Sequence, residues 1–188
     1  ILFVGTKKQA KDIVQQEADR CGMFYIVERW LGGSLTNFTT IKKSIKRLKS
    51  LEKEGSSLYE NLTKKETQML NRERVKLSDQ HRGIKDMRKP PDAIVIVDAQ
   101  YEGTAIKEAN SMGIPIVAIV DSNTNPKSIS YPIPANDDSL RTIQLIIGAI
   151  ADSILEIKMS SKDQNKKLDS VPSNNTYKTE AIVNDEEE

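Results

Sequence analysis

The 188-residue chain has one cysteine, one tryptophan, one histidine and only 5% aromatic residues. The lone Cys21 excludes an internal disulfide, offers no thiol pair to a metal and points to a reducing interior. His81 lies in a basic stretch, far in sequence from the acidic residues downstream, so neither a Ser-His-Asp nor a Cys-His arrangement can be assembled. No run of about 18 apolar residues exists, so no transmembrane helix is predicted and no membrane partner is expected. Neither G-x-G-x-x-G nor G-x-x-x-x-G-K-[ST] occurs, which removes the dinucleotide fingerprint and the phosphate loop. The chain opens at Ile1 with no Met and no basic-then-apolar leader, and a natural start upstream is expected.

What is present suits one α/β domain with attachments. The 37% hydrophobic content can fill a single core, and 29% charge is ordinary. The net charge of +1 hides an asymmetry. Residues 36–90 carry 15 Lys and Arg against 7 Asp and Glu, whereas residues 91–158 carry 4 against 9. A basic arm on an acidic body speaks for polyanion binding more strongly than total charge does. A solvated helical surface is the plainer explanation of the same run.

Strands and helices alternate along the chain. Apolar, β-branched strands are expected at 1–4, 24–27, 93–97 and 114–120, with a proline-bearing edge strand at 131–134. Helices are expected at 7–20 and 102–112, and a last one is capped by Asp137 or Asp138 and runs to about 158. Between the second and third strands, Phe38, Ile41, Ile45, Leu48 and Leu51 make one helical seam. Gly55-Ser56-Ser57 breaks it, and Leu70, Leu77 and Ile84 then repeat every seven residues, with Leu62 and Met69 nearby. Two helices around a short turn form an antiparallel hairpin, which should project from the body. The pattern as a whole predicts a parallel sheet covered on both faces, with the hairpin inserted.

Arg29-Trp30-Leu31-Gly32-Gly33-Ser34-Leu35-Thr36-Asn37-Phe38 opens the arm. Arg29 offers a charge for phosphate and Trp30 a flat face for a base, while the paired glycines allow a sharp turn. Alternatively, Trp30 packs at a strand-to-helix junction. Further candidates for phosphate contact are Lys42, Lys43, Lys46, Arg47, Lys49, Lys64, Lys65, Arg72, Arg74 and Lys76. Gly5-Thr6-Lys7-Lys8 reads as a core turn with solvated lysines. Asp98, Asp121, Asn123, Asn136, Asp137 and Asp138 fall at the carboxyl edge, either around a ligand or ion or as strand-end and helix-cap residues.

Several blocks together resemble the bacterial-type small-subunit ribosomal protein S-two family. They are residues 3–10, the Arg29–Phe38 stretch, Leu62-Thr63-Lys64-Lys65-Glu66, Pro91-Asp92-Ala93 leading to Val97-Asp98, and Gly113-Ile114-Pro115. Val120-Asp121-Ser122-Asn123 and residues 132–138 complete the set, in family order over about 1–158. The resemblance implies a flavodoxin-like three-layer body with a five-stranded parallel sheet and an inserted antiparallel helical hairpin. It implies a non-enzymatic structural role, without cofactor or metal, on a cytoplasmic bacterial or an organelle ribosome. The implied partners are small-subunit ribosomal RNA and neighbouring ribosomal proteins, including the large RNA-binding protein S-one. The chain departs from the family in lacking a further N-terminal segment. Gln80-His81-Arg82-Gly83 also stands where Leu-Gly-Gly is usual, adding charge at the base of the arm. Thr124 replaces a cysteine and Ala135 a frequent glycine.

The expected divisions are 1–35 and 90–158 for the two halves of the body, 36–89 for the basic hairpin, and 159–188 for a disordered acidic tail. Two other readings stay open: a small-molecule or metal-binding α/β enzyme using Asp98 and Asp121, and an interaction module using the hairpin seam.

Overall fold

The computed structural model describes residues 1–53 and 62–169. The expected turn at Gly55-Ser56-Ser57 and the acidic run at 185–188 lie outside the described residues. Five strands form one sheet: β1 (Leu2–Val4), β2 (Phe24–Ile26), β3 (Ile94–Ile96), β4 (Ile116–Val120) and β5 (Tyr131–Pro134). All neighbours pair in parallel, in the order β2-β1-β3-β4-β5, with Leu2 opposite both Phe24 and Ile94. That order is the flavodoxin-like one, with its reversal between β1 and β3. The central strands are β-branched runs because both of their faces are buried. Tyr131, Pro132 and Pro134 are exposed on β5, where an edge tolerates residues that donate no ladder hydrogen bond.

The helices are α1 (Lys11–Cys21), α2 (Phe38–Glu52), α3 (Lys64–His81), α4 (Gly103–Ser111) and α5 (Leu140–Asp169). Strand alternation sends Leu2, Val4, Ile94, Ile96, Ile116 and Ala118 to one face. There they share a core with Trp30, Leu35 and the α2 residues Phe38, Ile41 and Ile45, and with Ala105 and Ile106 of α4. Phe3 and Val95 alternate to the opposite face, covered by α1 and α5, which bury Val14, Ala18, Ile143 and Ile147. Arg20 of α1 bridges to Asp152 of α5 at 2.6 Å.

Two features of the arm differ from expectation. Its first helix is rooted in the body, because Phe38, Ile41 and Ile45 belong to the same core as the sheet. The seven-residue repeat also does not continue along one helix. α3 ends at His81, and Ile84 lies in a separate 3₁₀ turn, Arg82–Ile84. On α3 itself Leu70 and Leu77 are half-buried, while Met69 and Val75 are exposed. α3 starts where it does because Thr63 and Glu66 form a reciprocal cap, with the Thr63 N–H donating to Glu66 Oε2 at 2.9 Å.

The last helix departs from its expected ends. Asp137 and Asp138 do not cap α5; both pair with Lys7, and Asn136 Oδ1 accepts from the Asp138 and Ser139 N–H groups instead. The helix also runs past the expected end near 158, through Asp169. The chain divides into two compact units, Ile1–Ile154 and Leu155–Glu188. Among the described residues no helix is long and apolar enough to cross a membrane.

Candidate nucleic-acid interface

The junction into the arm is organised by one carboxylate that the sequence did not single out. Glu108, on α4, is 8% exposed. Its Oε1 accepts from Trp30 Nε1 at 3.1 Å and the Gly33 N–H at 2.8 Å. Its Oε2 accepts from the Leu35 N–H at 3.0 Å and from the N–H and Oγ1 of Thr36, each at 3.2 Å. Burial by itself would raise this carboxyl, but the donors from Leu35, Trp30, Gly33 and Thr36 outweigh it and hold Glu108 below its usual range. Gly33 sits at φ +86°, where an L side chain is strained, whereas a Cβ on Gly32 would meet open space. Trp30 is therefore the junction residue. Its ring lies in the core with its N–H engaged, and a base has no free face to stack on. Arg29 beside it is exposed.

The arm's cations fall into two groups. Arg47 makes a two-pronged ion pair with Glu73 of α3, through Nε and Nη2 at 3.0 Å each. Lys49 pairs with Asp86 at 3.0 Å, Lys85 with Glu52, and Lys42 lies 5.1 Å from the centre of the Phe38 ring. These residues hold the arm together. Ser44–His81 and Arg47–Glu73 pair in opposite senses along α2 and α3, so the helices are antiparallel. Lys43, Lys46, Lys64, Lys65, Arg72, Arg74 and Lys76 are exposed and have no ion-pair partner among the described residues. Beside α2 the segment 85–88 closes a cleft of about 460 Å³, lined by Lys42, Lys46, Lys49, Lys85, Asp86 and Arg88 together with Ile45 and Met87. Lys85 and Arg88 escaped the sequence reading because they lie beyond the helical pattern, and only the fold turns them back beside α2.

The base of the arm carries less free charge than expected. His81 is 1% exposed, with Nε2 2.9 Å from Ser44 Oγ and Nδ1 without a partner among the described residues. Burial lowers its pKa and favours the neutral ring. Arg82 reaches Glu28 at 3.3 Å. Gly83 abuts β2 so closely that a Cβ there would stand 2.2 Å from the Tyr25 carbonyl oxygen.

At the carboxyl edge, Lys7 is not a solvated lysine. Its ammonium lies 3.0 Å from Asp98 Oδ2, 2.8 Å from Asp137 Oδ1 and 2.6 Å from Asp138 Oδ1. Desolvation works against the charge, but the bonds to Asp137, Asp138 and Asp98 prevail and raise its pKa. Lys8 is exposed as expected. The two acids of the enzyme reading do different jobs. Asp98, at φ +63°, binds Lys7 and accepts from the Tyr101 N–H at 3.0 Å, while Asp121 accepts from the Ser122 N–H at 2.6 Å. Among the described residues no group of three or more His, Cys, Asp or Glu side chains is arranged to hold a metal.

Sheet order, rooted hairpin and surface cations together define the class: a flavodoxin-like α/β body bearing a cationic helical pair. The chain belongs to the family described as Ribosomal protein S2, whose sequence profile matches residues 1–157. It is 54% identical over 157 residues to small ribosomal subunit protein uS2 of Acidobacterium capsulatum, covering 83% of this chain and 52% of that one. It is likewise 54% identical over 156 residues to uS2c of Rhodomonas salina, covering 82% of this chain and 64% of the relative. With uS2 of Salinibacter ruber it shares 49% identity over 171 residues, covering 89% and 53%. The chain thus spans between half and two-thirds of the length of these relatives.

Proposed function

We propose that the chain is a structural, non-enzymatic component of the small ribosomal subunit, in a bacterial cytoplasm or an organelle, and that it binds ribosomal RNA through the arm at 36–89. The observation that carries this reading is the set of exposed arm cations without ion-pair partners among the described residues. Cations already bound to carboxylates have less to offer a phosphate; unpaired ones displace counterions from the RNA backbone and position it without reading its sequence. Family membership supports the same reading, as do the relatives' names. The two halves of the body, 1–35 and 90–158, serve as the platform for neighbouring ribosomal proteins, the large RNA-binding protein S-one among them.

The test is binding to small-subunit ribosomal RNA across a salt series. Lys43, Lys46, Arg72 and Arg74 changed together to Gln should weaken binding and flatten the salt dependence by about 0.7–0.9 for each phosphate no longer neutralised. The same change at Lys107 and Lys127 on the body should do much less. Equal losses from both sets, or an unchanged slope in the arm variant, would overturn the assignment.

A further inference from the structure

A second cleft, of about 460 Å³, opens at the carboxyl edge of the sheet beside the β1/β3 reversal. It lies outside the hairpin, and its walls are Thr6, Glu28, Arg29, Tyr101, Glu102 and Thr104, with Trp30 behind them. Open α/β sheets place ligands in this crevice, and the volume is in the range of small-molecule sites. The chemistry on its walls is more specific than position alone.

Glu102 is 3% exposed. Its Oε1 accepts from both the N–H and the Oγ1 of Thr6, at 3.1 and 2.5 Å. Its Oε2 has no partner among the described residues and is not sealed in, so it opens into the cleft. A nearly buried carboxyl with one satisfied oxygen and one open to the cleft can accept an N–H donor from a ligand seated there. Burial also raises its pKa, with the Asp98 charge adding to it, so such a donor would supply the stabilisation that its carboxylate lacks. Glu102 is the residue before α4, yet its side chain does not cap that helix. The Gly103 and Thr104 N–H groups consequently have no partner among the described residues, and the positive end of α4 faces an uncapped opening. Arg29 adds a cation with no ion pair among the described residues, whereas Glu28 is already held by Lys11 at 2.8 Å and Arg82 at 3.3 Å. Tyr101, 67% exposed, supplies a flat aromatic face.

One ligand class uses all four features. We propose that this cleft binds a nucleotide unit, its phosphoryl group on Arg29 and the α4 N-terminus, its base against Tyr101 with an N–H edge on Glu102 Oε2. A bare anion would leave Glu102 and Tyr101 unused, and a metal ion would find a single free carboxylate oxygen. Adenine, cytosine and guanine each carry an amino group that can donate to this oxygen, and a guanosine nucleotide serves as the probe. The unit can be a free nucleotide or an unstacked residue of an RNA, and the cleft goes beyond the hairpin assignment without depending on it.

Trp30 is the only tryptophan and lines the cleft, so its fluorescence reports occupancy. The full chain is titrated with guanosine monophosphate and, separately, with a single-stranded RNA pentamer carrying one central guanosine. Saturable binding is expected, weakened about tenfold or more by Glu102→Gln, which keeps the bonds from Thr6 on one oxygen, and by Arg29→Ala. Tyr101→Ala, at an exposed position, should weaken it severalfold. The Lys43→Gln/Lys46→Gln variant should bind the mononucleotide like wild type. Binding of the mononucleotide identifies a free nucleotide as a sufficient ligand. Binding of the pentamer alone, with the same sensitivity to Glu102 and Arg29, identifies an RNA residue. No binding of either probe, or binding that follows the hairpin lysines and ignores Glu102, Arg29 and Tyr101, overturns the assignment. Loss of ribosomal RNA binding in the hairpin variant bears on the arm alone.

Discussion

The indole N–H of Trp30 donates to the carboxylate of Glu108, 78 residues later, at 3.1 Å. This bond ties the loop after β2 to α4 and sets where α2 leaves the body. Because the same carboxylate also takes the Gly33, Leu35 and Thr36 donors, Glu108→Ala would leave a set of largely buried donors unmet. The expected loss is on the order of 3 kcal/mol in urea unfolding, with Glu108→Gln milder because one acceptor survives. A loss under about 0.5 kcal/mol in the Ala variant would mean the loop holds without this anchor.

Glu108 also carries a pH signature. Its folded pKa is depressed, so its contribution is present above the ordinary glutamate range and disappears as pH falls through the lower folded value. Trp30 fluorescence should report the junction loosening in that acidic window and stay flat above it. In Glu108→Gln this transition should vanish.

His81 acts at a higher pH. Its folded pKa is lowered by burial, so the unfolded chain binds the proton first, at about 6.5. Stability should therefore fall as pH drops below that value and level off once the folded ring titrates. His81→Asn should flatten thermal stability across this window. A slope that persists in the variant would assign the effect to another group.

The Lys7 cluster should behave as a buried ionic knot. Lys7→Met leaves Asp98 and Asp137 without their shared cation, and Asp137 is 2% exposed. Removing one partner of such a set costs about 3 kcal/mol. The melting temperature of Lys7→Met should fall by many degrees, whereas Lys8→Met, at an exposed position, should leave it within a degree or two.

The glycines near the arm should separate cleanly. Gly83→Ala drives a Cβ into the Tyr25 carbonyl and should cost about 2 kcal/mol or more. Gly33→Ala should lose about 1 kcal/mol to its positive φ, and Gly32→Ala should be tolerated. Equal melting temperatures for the Gly32 and Gly33 variants would contradict the backbone assignment.

Much of the scaffold was legible from local pattern. The run from Ala93 to Val97 announced a strand buried on both faces, and Phe38, Ile41, Ile45, Leu48 and Leu51 announced the buried face of α2. Both signals are short-range: a side chain's direction follows from its position in a period of 2 or 3.6 residues. The heptad of Leu70, Leu77 and Ile84 misled for the same reason, since spacing does not reveal that the chain leaves the helix at His81. The ordered blocks from Phe3 to Asp138 marked the family, and the charge counts located the arm.

The partners were decided by tertiary structure alone. Lys7 looked solvated until β3 and the turn before α5 brought Asp98 and Asp137 to it, across 91 and 130 residues. Trp30 had two open readings until Glu108 arrived from α4, and Arg47 looked like its free neighbours until Glu73 came alongside. Periodicity and turns are properties of adjacent residues, so the sequence by itself determined the order and type of most elements, the family and the uneven charge, but not where α3 and α5 end. Which charge is neutralised and which stays free depends on sheet order and on the return path of the chain, and those exist only once the strands have paired.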